Sequence, residues 1–199
     1  MGAPSECASL RGLARLAIMG ILTIGLAGEA LAGISASTTT RYYSVGGTSQ
    51  SSLATRMRSN PFRGDRGGAV ANIRPKYSLK VATKQAGGSC RVSNVDLNIR
   101  FVMTLPRANE GGMSGGTRAS WRGFVGFARR HESTHRSIYM QCARNFMVKA
   151  QQLSGGSCGG LQAQARRLLD AEDRACDRRH AAFDRSERRR LGGLSLFRN

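Results

Sequence analysis

Residues 128–144 read ARRHESTHRSIYMQCAR. Across this stretch and its flanks, Phe124, Ala128, His131, His135, Ile138, Cys142 and Met147 recur mostly at steps of three and four, the spacing of one helical face. The period predicts a long helix over residues 121–152, ended by the glycines of SGGSCGG. Within it, His131-Glu132-Ser133-Thr134-His135 sets two histidines one turn and about 6 Å of rise apart on that face. Two imidazoles so spaced can grip one zinc ion. The glutamate beside the first can take a proton from a metal-bound water and pass it to a leaving amine. The competing account is coincidence, since most helix-face histidines are satisfied polar residues. Against it, both histidines fall on the apolar face, where an unpaired imidazole is costly, and they are two of only three in the chain.

A second helix is predicted over residues 161–190, with Leu161, Ala165, Leu168, Leu169, Cys176 and Phe183 as its apolar side. A short glycine-rich connection makes the two helices antiparallel neighbours. Counting back 17 residues from Gln152 reaches His135, and counting 17 forward from Leu161 reaches Arg178. His180 therefore falls near the level of His135 and is the candidate third ligand of a zinc site that keeps one position open. Asp184, Asp177 and Glu172 are its rivals. Asp184 is also a candidate partner for a histidine ring nitrogen, and Tyr139 for stabilising an oxyanion or simply packing. The same counting brings Cys176 within one or two turns of Cys142, which would leave Cys90 with Cys158. Four cysteines permit three pairings, and the sequence leaves them open.

The clearest strand signal lies between residues 75 and 105. YSLKVATK alternates, QAGGS turns, and CRVSNVDLNIRFVMTLP alternates again through Val92, Val95, Leu97, Ile99, Phe101 and Met103. This predicts a β-hairpin with one buried face and a bulge between Val92 and Val95. Upstream, GISASTT reads as a linker, TRYYSVGG as a short strand, TSQSSLATRMRSNPF as a short capped helix and RGDRGGAVAN as a loop. ANEGGMSGGTRAS reads as a flexible loop, expected to help shape a cleft, and LSLFRN as a tail. The expected fold class is α+β: an antiparallel sheet packed on a two-helix hairpin.

Residues 1–32 stand apart. Arg11 and Arg15 precede the apolar run LAIMGILTIGLAG, which is too short to span a bilayer comfortably, and Ala30-Leu31-Ala32 is a small-residue cleavage signal. They read as a secretory leader cut after Ala32. Residues 33–199 would then be a single exported domain with a basic tail and no remaining transmembrane span, periplasmic or secreted. Cys90, Cys142, Cys158 and Cys176 are an even set that suits two disulfides in such a compartment. The formal charge is +19, and residues 1–32 hold equal numbers of acids and bases, so the exported part carries all of it. That field attracts anionic cell-envelope surfaces. The arginines lie in helical segments without aromatic interleaving or a nucleic-acid module, so no specific nucleic acid is expected as a partner.

YYSVGG, GGSCRVSNVDLNIRFVMTLP, WRGFVGFARRHESTHRSIYMQCAR and HAAFD occur in order from Tyr42 to Asp184. Together they resemble the bacterial family called domain of unknown function 922, whose members are described as secreted zinc-dependent proteases. The resemblance implies an exported protein with His131 and His135 on zinc and Glu132 as general base. Family members end with an aromatic-Asp pair followed by histidine. Here Phe183-Asp184 is followed by arginines and His180 comes before, which leaves the third ligand open. The expected function is that of an exported zinc metallohydrolase acting on a peptide or protein substrate. The alternative is a non-enzymatic basic envelope protein with a structural or vestigial zinc site, binding anionic polymers.

Overall fold

A computed structural model describes residues 33–64 and 67–198; the leader read at residues 1–32 lies outside them. The elements follow in order as β1 (Ile34–Ser44), α1 (Gln50–Ser59), β2 (Phe62–Gly64), β3 (Gly67–Ala69), β4 (Asn72–Ala86), β5 (Ser89–Arg107), α2 (Gly115–Gln151), β6 (Ser154–Gly155) and α3 (Cys158–Gly192). The architecture is the mixed α+β arrangement expected, a sheet against a long helical hairpin.

Strand β5 is the centre of the sheet, whose order is β1-β5-β4, with the short β6 also on β5. Its alternation puts Val95, Leu97, Ile99, Phe101 and Met103 on the face under the helices, all buried. Burying each such side chain contributes about 1.5–3 kcal/mol. The register with β4 slips between Ala82 and Thr83, so Ser93 is the extra residue on β5. This is the bulge anticipated between Val92 and Val95.

The sheet is not wholly antiparallel, because β1 runs parallel to β5. Residues 34–39, read as linker, are part of β1. Small Ser, Thr and Ala side chains give a strand no alternation to detect, and the parallel pairing is fixed from outside it. Gly33 (φ +81°) opens β1 against β5, where a Cβ would stand 1.8 Å from the Val95 carbonyl oxygen. Arg136 Nε of α2 donates to Thr38 Oγ1 at 3.0 Å, and Arg129 reaches the Tyr42 hydroxyl at 3.3 Å.

Helix α2 starts six residues earlier than its apolar period indicated. Ser114 caps it by accepting from Thr117 N–H at 3.2 Å, and the cap overrides the poor helix propensity of Gly115 and Gly116. RGDRGGAVAN also departs from the loop reading, since Phe62–Gly64 and Gly67–Ala69 pair as a small ladder. The hairpin's antiparallel register shows in its facing pairs, His131 with Asp184, His135 with His180 and Lys149 with Glu172. Two disulfides close: Cys142–Cys176 between the helices, with Cα atoms 6.1 Å apart, and Cys90–Cys158 from sheet to α3, at 5.2 Å.

The main core lies between β5 and the hairpin. A second cluster, at the α2 N-terminus, gathers Leu53, Met57, Met113, Trp121, Phe124 and Leu196. The closing LSLFRN therefore folds back: Leu196 is fully buried, and the Phe197 ring meets Phe124 edge-on at 5.4 Å.

Candidate metal centre

His131 and His135 lie on α2, and Asp184 faces them from α3. The two Nε2 atoms are 3.0 Å apart. One carboxylate oxygen of Asp184 stands 3.2 Å from His131 Nε2 and 2.8 Å from His135 Nε2. Donor atoms held by one tetrahedral ion at about 2.0–2.1 Å are roughly 3.3 Å from each other. The three atoms thus already stand close to the edge lengths of a coordination shell. This group of three could hold a metal ion. Two imidazoles and a carboxylate suit zinc, iron, nickel or copper better than calcium or magnesium.

The surroundings keep that arrangement in place. Phe183 stacks on His131 at 4.7 Å and meets His135 edge-on at 5.1 Å, while Phe127 lies 6.0 Å from the His131 ring. His131 Nδ1 is buried without a hydrogen-bond partner among the described residues, so the ring's polar contacts lie on its Nε2 side. The Asp184 side chain is 40% exposed, against 19% and 11% for the histidines, so the group opens to solvent on the acid's side.

Glu132 projects from α2 toward β4 rather than into solvent, and it is 4% exposed. Its carboxylate accepts the Ile73 backbone N–H, which favours ionisation, but burial and the nearby Asp184 charge push its pKa up to about 8. The contact reveals how β4 is oriented. Ile73 points its N–H away from β5, and Val81, of the same parity, offers its carbonyl to Gln162 of α3. Pro75, between them, therefore has its nitrogen on the outer edge, where a strand tolerates proline.

A cleft of about 1060 Å³ runs between that edge of β4 and the two helices. His131, Glu132, His135, His180 and Asp184 line it, with Tyr77, Tyr139, Asp173 and Asp177 farther along. The Tyr77 hydroxyl donates to Asp173 Oδ1 at 2.8 Å. Burial, then the Asp173 charge, holds the tyrosine's proton well above the usual range; burial likewise raises Asp173. The glycine-rich stretch expected to shape the cleft does not line it. Its Met113 joins the second core, and Glu110 pairs with Arg122 at 2.8 Å. Residues 68–75 and Tyr77 form that wall instead.

His131, Glu132, His135, Tyr139, Asp177, His180 and Asp184 gather here, and Glu172 does not. His180, proposed as a ligand from its level on the hairpin, is 1% exposed and touches the far side of the His135 ring, Nδ1 to Nδ1 at 2.7 Å. Tyr139 packs on His180, ring centroids 4.0 Å apart. Of the rivals, Asp177 lines the cleft, while Glu172 is engaged with Lys149. Sequence reasoning missed Phe183 as the ring covering both histidines and the β4 edge as the partner of Glu132. Pro75 within an alternating run was the available sign of an edge.

No helix among the described residues is long and apolar enough to cross a membrane. Neither the curated proteins nor the solved structures contain a match to this chain. A family model described as a bacterial protein of unknown function, DUF922, matches residues 40–193, the span that runs from β1 through both disulfides and the His-His-Asp group to the end of α3. The chain belongs to the DUF922 family.

Proposed function

We propose that this protein is an exported zinc-dependent hydrolase of peptides, with His131, His135 and Asp184 as ligands and Glu132 as general base. The observation that carries the reading is the convergence of three donor atoms within 3.2 Å beside a buried glutamate, at the wall of a cleft. When bound, zinc supplies Lewis acidity toward a carbonyl and lowers the pKa of water. Beside a cation Glu132 returns toward the ordinary carboxylate range. It then takes the attacking water's proton and returns it to the departing amine. Phe127 and Phe183 keep bulk water off His131. Export is supported by the leader-like residues 1–32 and by two closed disulfides, which fit an oxidising compartment.

Elemental analysis of residues 33–199, paired with a peptide-library screen, tests the reading. It expects about one zinc per chain and cleavage that falls by roughly 10²–10⁴ in Glu132→Gln with metal retained. Iron in place of zinc, or full activity in Glu132→Gln, overturns it.

A second reading, a basic protein that binds anionic envelope polymers, is favoured by the open face of the sheet. Lys76 stands directly opposite Arg100, and Lys84 opposite Arg91, like charges in register. Such pairs are destabilising by themselves, so they call for an anionic neighbour. Retention on an anionic polymer that collapses with salt, in a protein inert toward peptides, supports this second reading.

A further inference from the structure

We propose that His180 is a positioning residue: it accepts a hydrogen bond from His135 Nδ1–H and thereby fixes which nitrogen His135 presents to a metal. The inference rests on the metal-site reading above. Its basis is the 2.7 Å separation of His135 Nδ1 and His180 Nδ1. Two ring nitrogens at that distance share one hydrogen, so one donates and the other accepts. His135 turns its other nitrogen, Nε2, toward His131 and Asp184. If that Nε2 gives its lone pair to an ion, the ring's hydrogen must sit on Nδ1. His180 Nδ1 is then the acceptor, and the hydrogen of His180 is on Nε2. The two nitrogens of one imidazole face opposite ways. His180 therefore cannot keep this bond and also reach an ion held between His131, His135 and Asp184.

The acceptor is held still. His180 is 1% exposed, its ring lies 4.0 Å from the Tyr139 ring and 4.9 Å from the His135 ring, and it sits one turn beyond Cys176. Metal-binding histidines commonly give their second N–H to a carboxylate, carbonyl or water; here an imidazole takes that place, and losing the acceptor typically lowers metal affinity by about 10–100-fold.

The test measures zinc affinity by competition with a chromophoric chelator, together with ¹⁵N NMR of the imidazoles in the zinc-loaded wild type. His180→Leu should bind zinc about 10–100-fold more weakly. His180→Asn, whose amide oxygen can stand where Nδ1 does, should recover most of that loss, and NMR should place hydrogen on His135 Nδ1 and His180 Nε2. Thermal melting of the metal-free variants provides the folding control, and His180→Asn carries the test if His180→Leu does not fold. Wild-type affinity in His180→Leu, equal losses in both variants, or hydrogen on His180 Nδ1 would each overturn the positioning role. Zinc lost from both variants but kept by Asp184→Ala would make His180 a ligand instead. Wild-type protein that takes up no zinc removes the metal reading itself, and the positioning role with it.

Discussion

The α2–α3 hairpin has two ends made differently. Toward the connection, Ala143, Phe146, Met147 and Ala150 join Leu161 and Leu169 in a buried cluster against β5. Lys149 pairs with Glu172 there, and Cys90–Cys158 ties the start of α3 to the sheet. Beyond Cys142–Cys176 the helices are faced instead by His131, His135, His180 and Asp184, beside the buried carboxyl of Glu132. Apolar burial stabilises, whereas buried imidazoles and carboxyls cost free energy unless paired. The closed end, together with the second core at the α2 N-terminus, therefore carries the stability that lets the stretch between them hold an otherwise unfavourable group of donors.

The largest effect should come from breaking the closed end. Phe146 is fully buried, so Phe146→Ala should cost about 3–5 kcal/mol in urea denaturation while the folded fraction binds metal as before. A parallel fall in affinity would mean that the two ends are not separable.

Cutting the boundary between them should do less to stability and more to the site. Replacing Cys142 and Cys176 together by serine should cost about 2–4 kcal/mol. It should also weaken metal binding, because the bridge sets the level at which α3 presents His180 and Asp184. Stability lost with unchanged metal affinity would show that packing alone holds the register.

The closed end was the legible one. Alternation in β5, the bulge at Ser93, the helical period and the level of Cys176 against Cys142 are all local patterns, read directly or by counting along a hairpin. The open end was legible in residue type but not in role. His180 and Asp184 lie one turn apart on α3, so counting brings both to His135 and leaves open which atom of which ring faces where. That choice depends on side-chain direction, which the rings of Phe183 and Tyr139 constrain. The parallel β1 and the folded-back Leu196 were hidden for another reason. Both are placed by distant partners, Leu97 to Arg107 for β1 and Trp121 with Phe124 for the closing residues.

Acidity should separate the two ends without any loss of packing. In metal-free protein Glu132 has its pKa raised to about 8, whereas an unfolded glutamate ionises near 4.5. Between these values the folded chain keeps a proton that the unfolded chain releases, so stability falls as pH rises through the window. Metal-free wild type should be less stable at pH 7 than at pH 5 by about 2 kcal/mol through this group. Glu132→Gln should remove that difference, as read by denaturation at the two pH values. An unchanged difference in the variant would assign the pH dependence to other groups.

The smallest expected effect lies across the sheet from the hairpin, where neither end reaches. Lys76 and Arg100 repel in direct register on a face open to solvent. Lys76→Glu replaces repulsion by attraction and should stabilise the fold by about 0.2–1 kcal/mol. A cationic pair that costs stability in the isolated fold fits a surface that meets an anionic partner. Melting temperature and salt-dependent retention on an anionic polymer, measured side by side, resolve it. Higher stability with weaker retention ties the pair to binding. Higher stability with unchanged retention leaves the polymer to other arginines, and the open face is then only a solvated one.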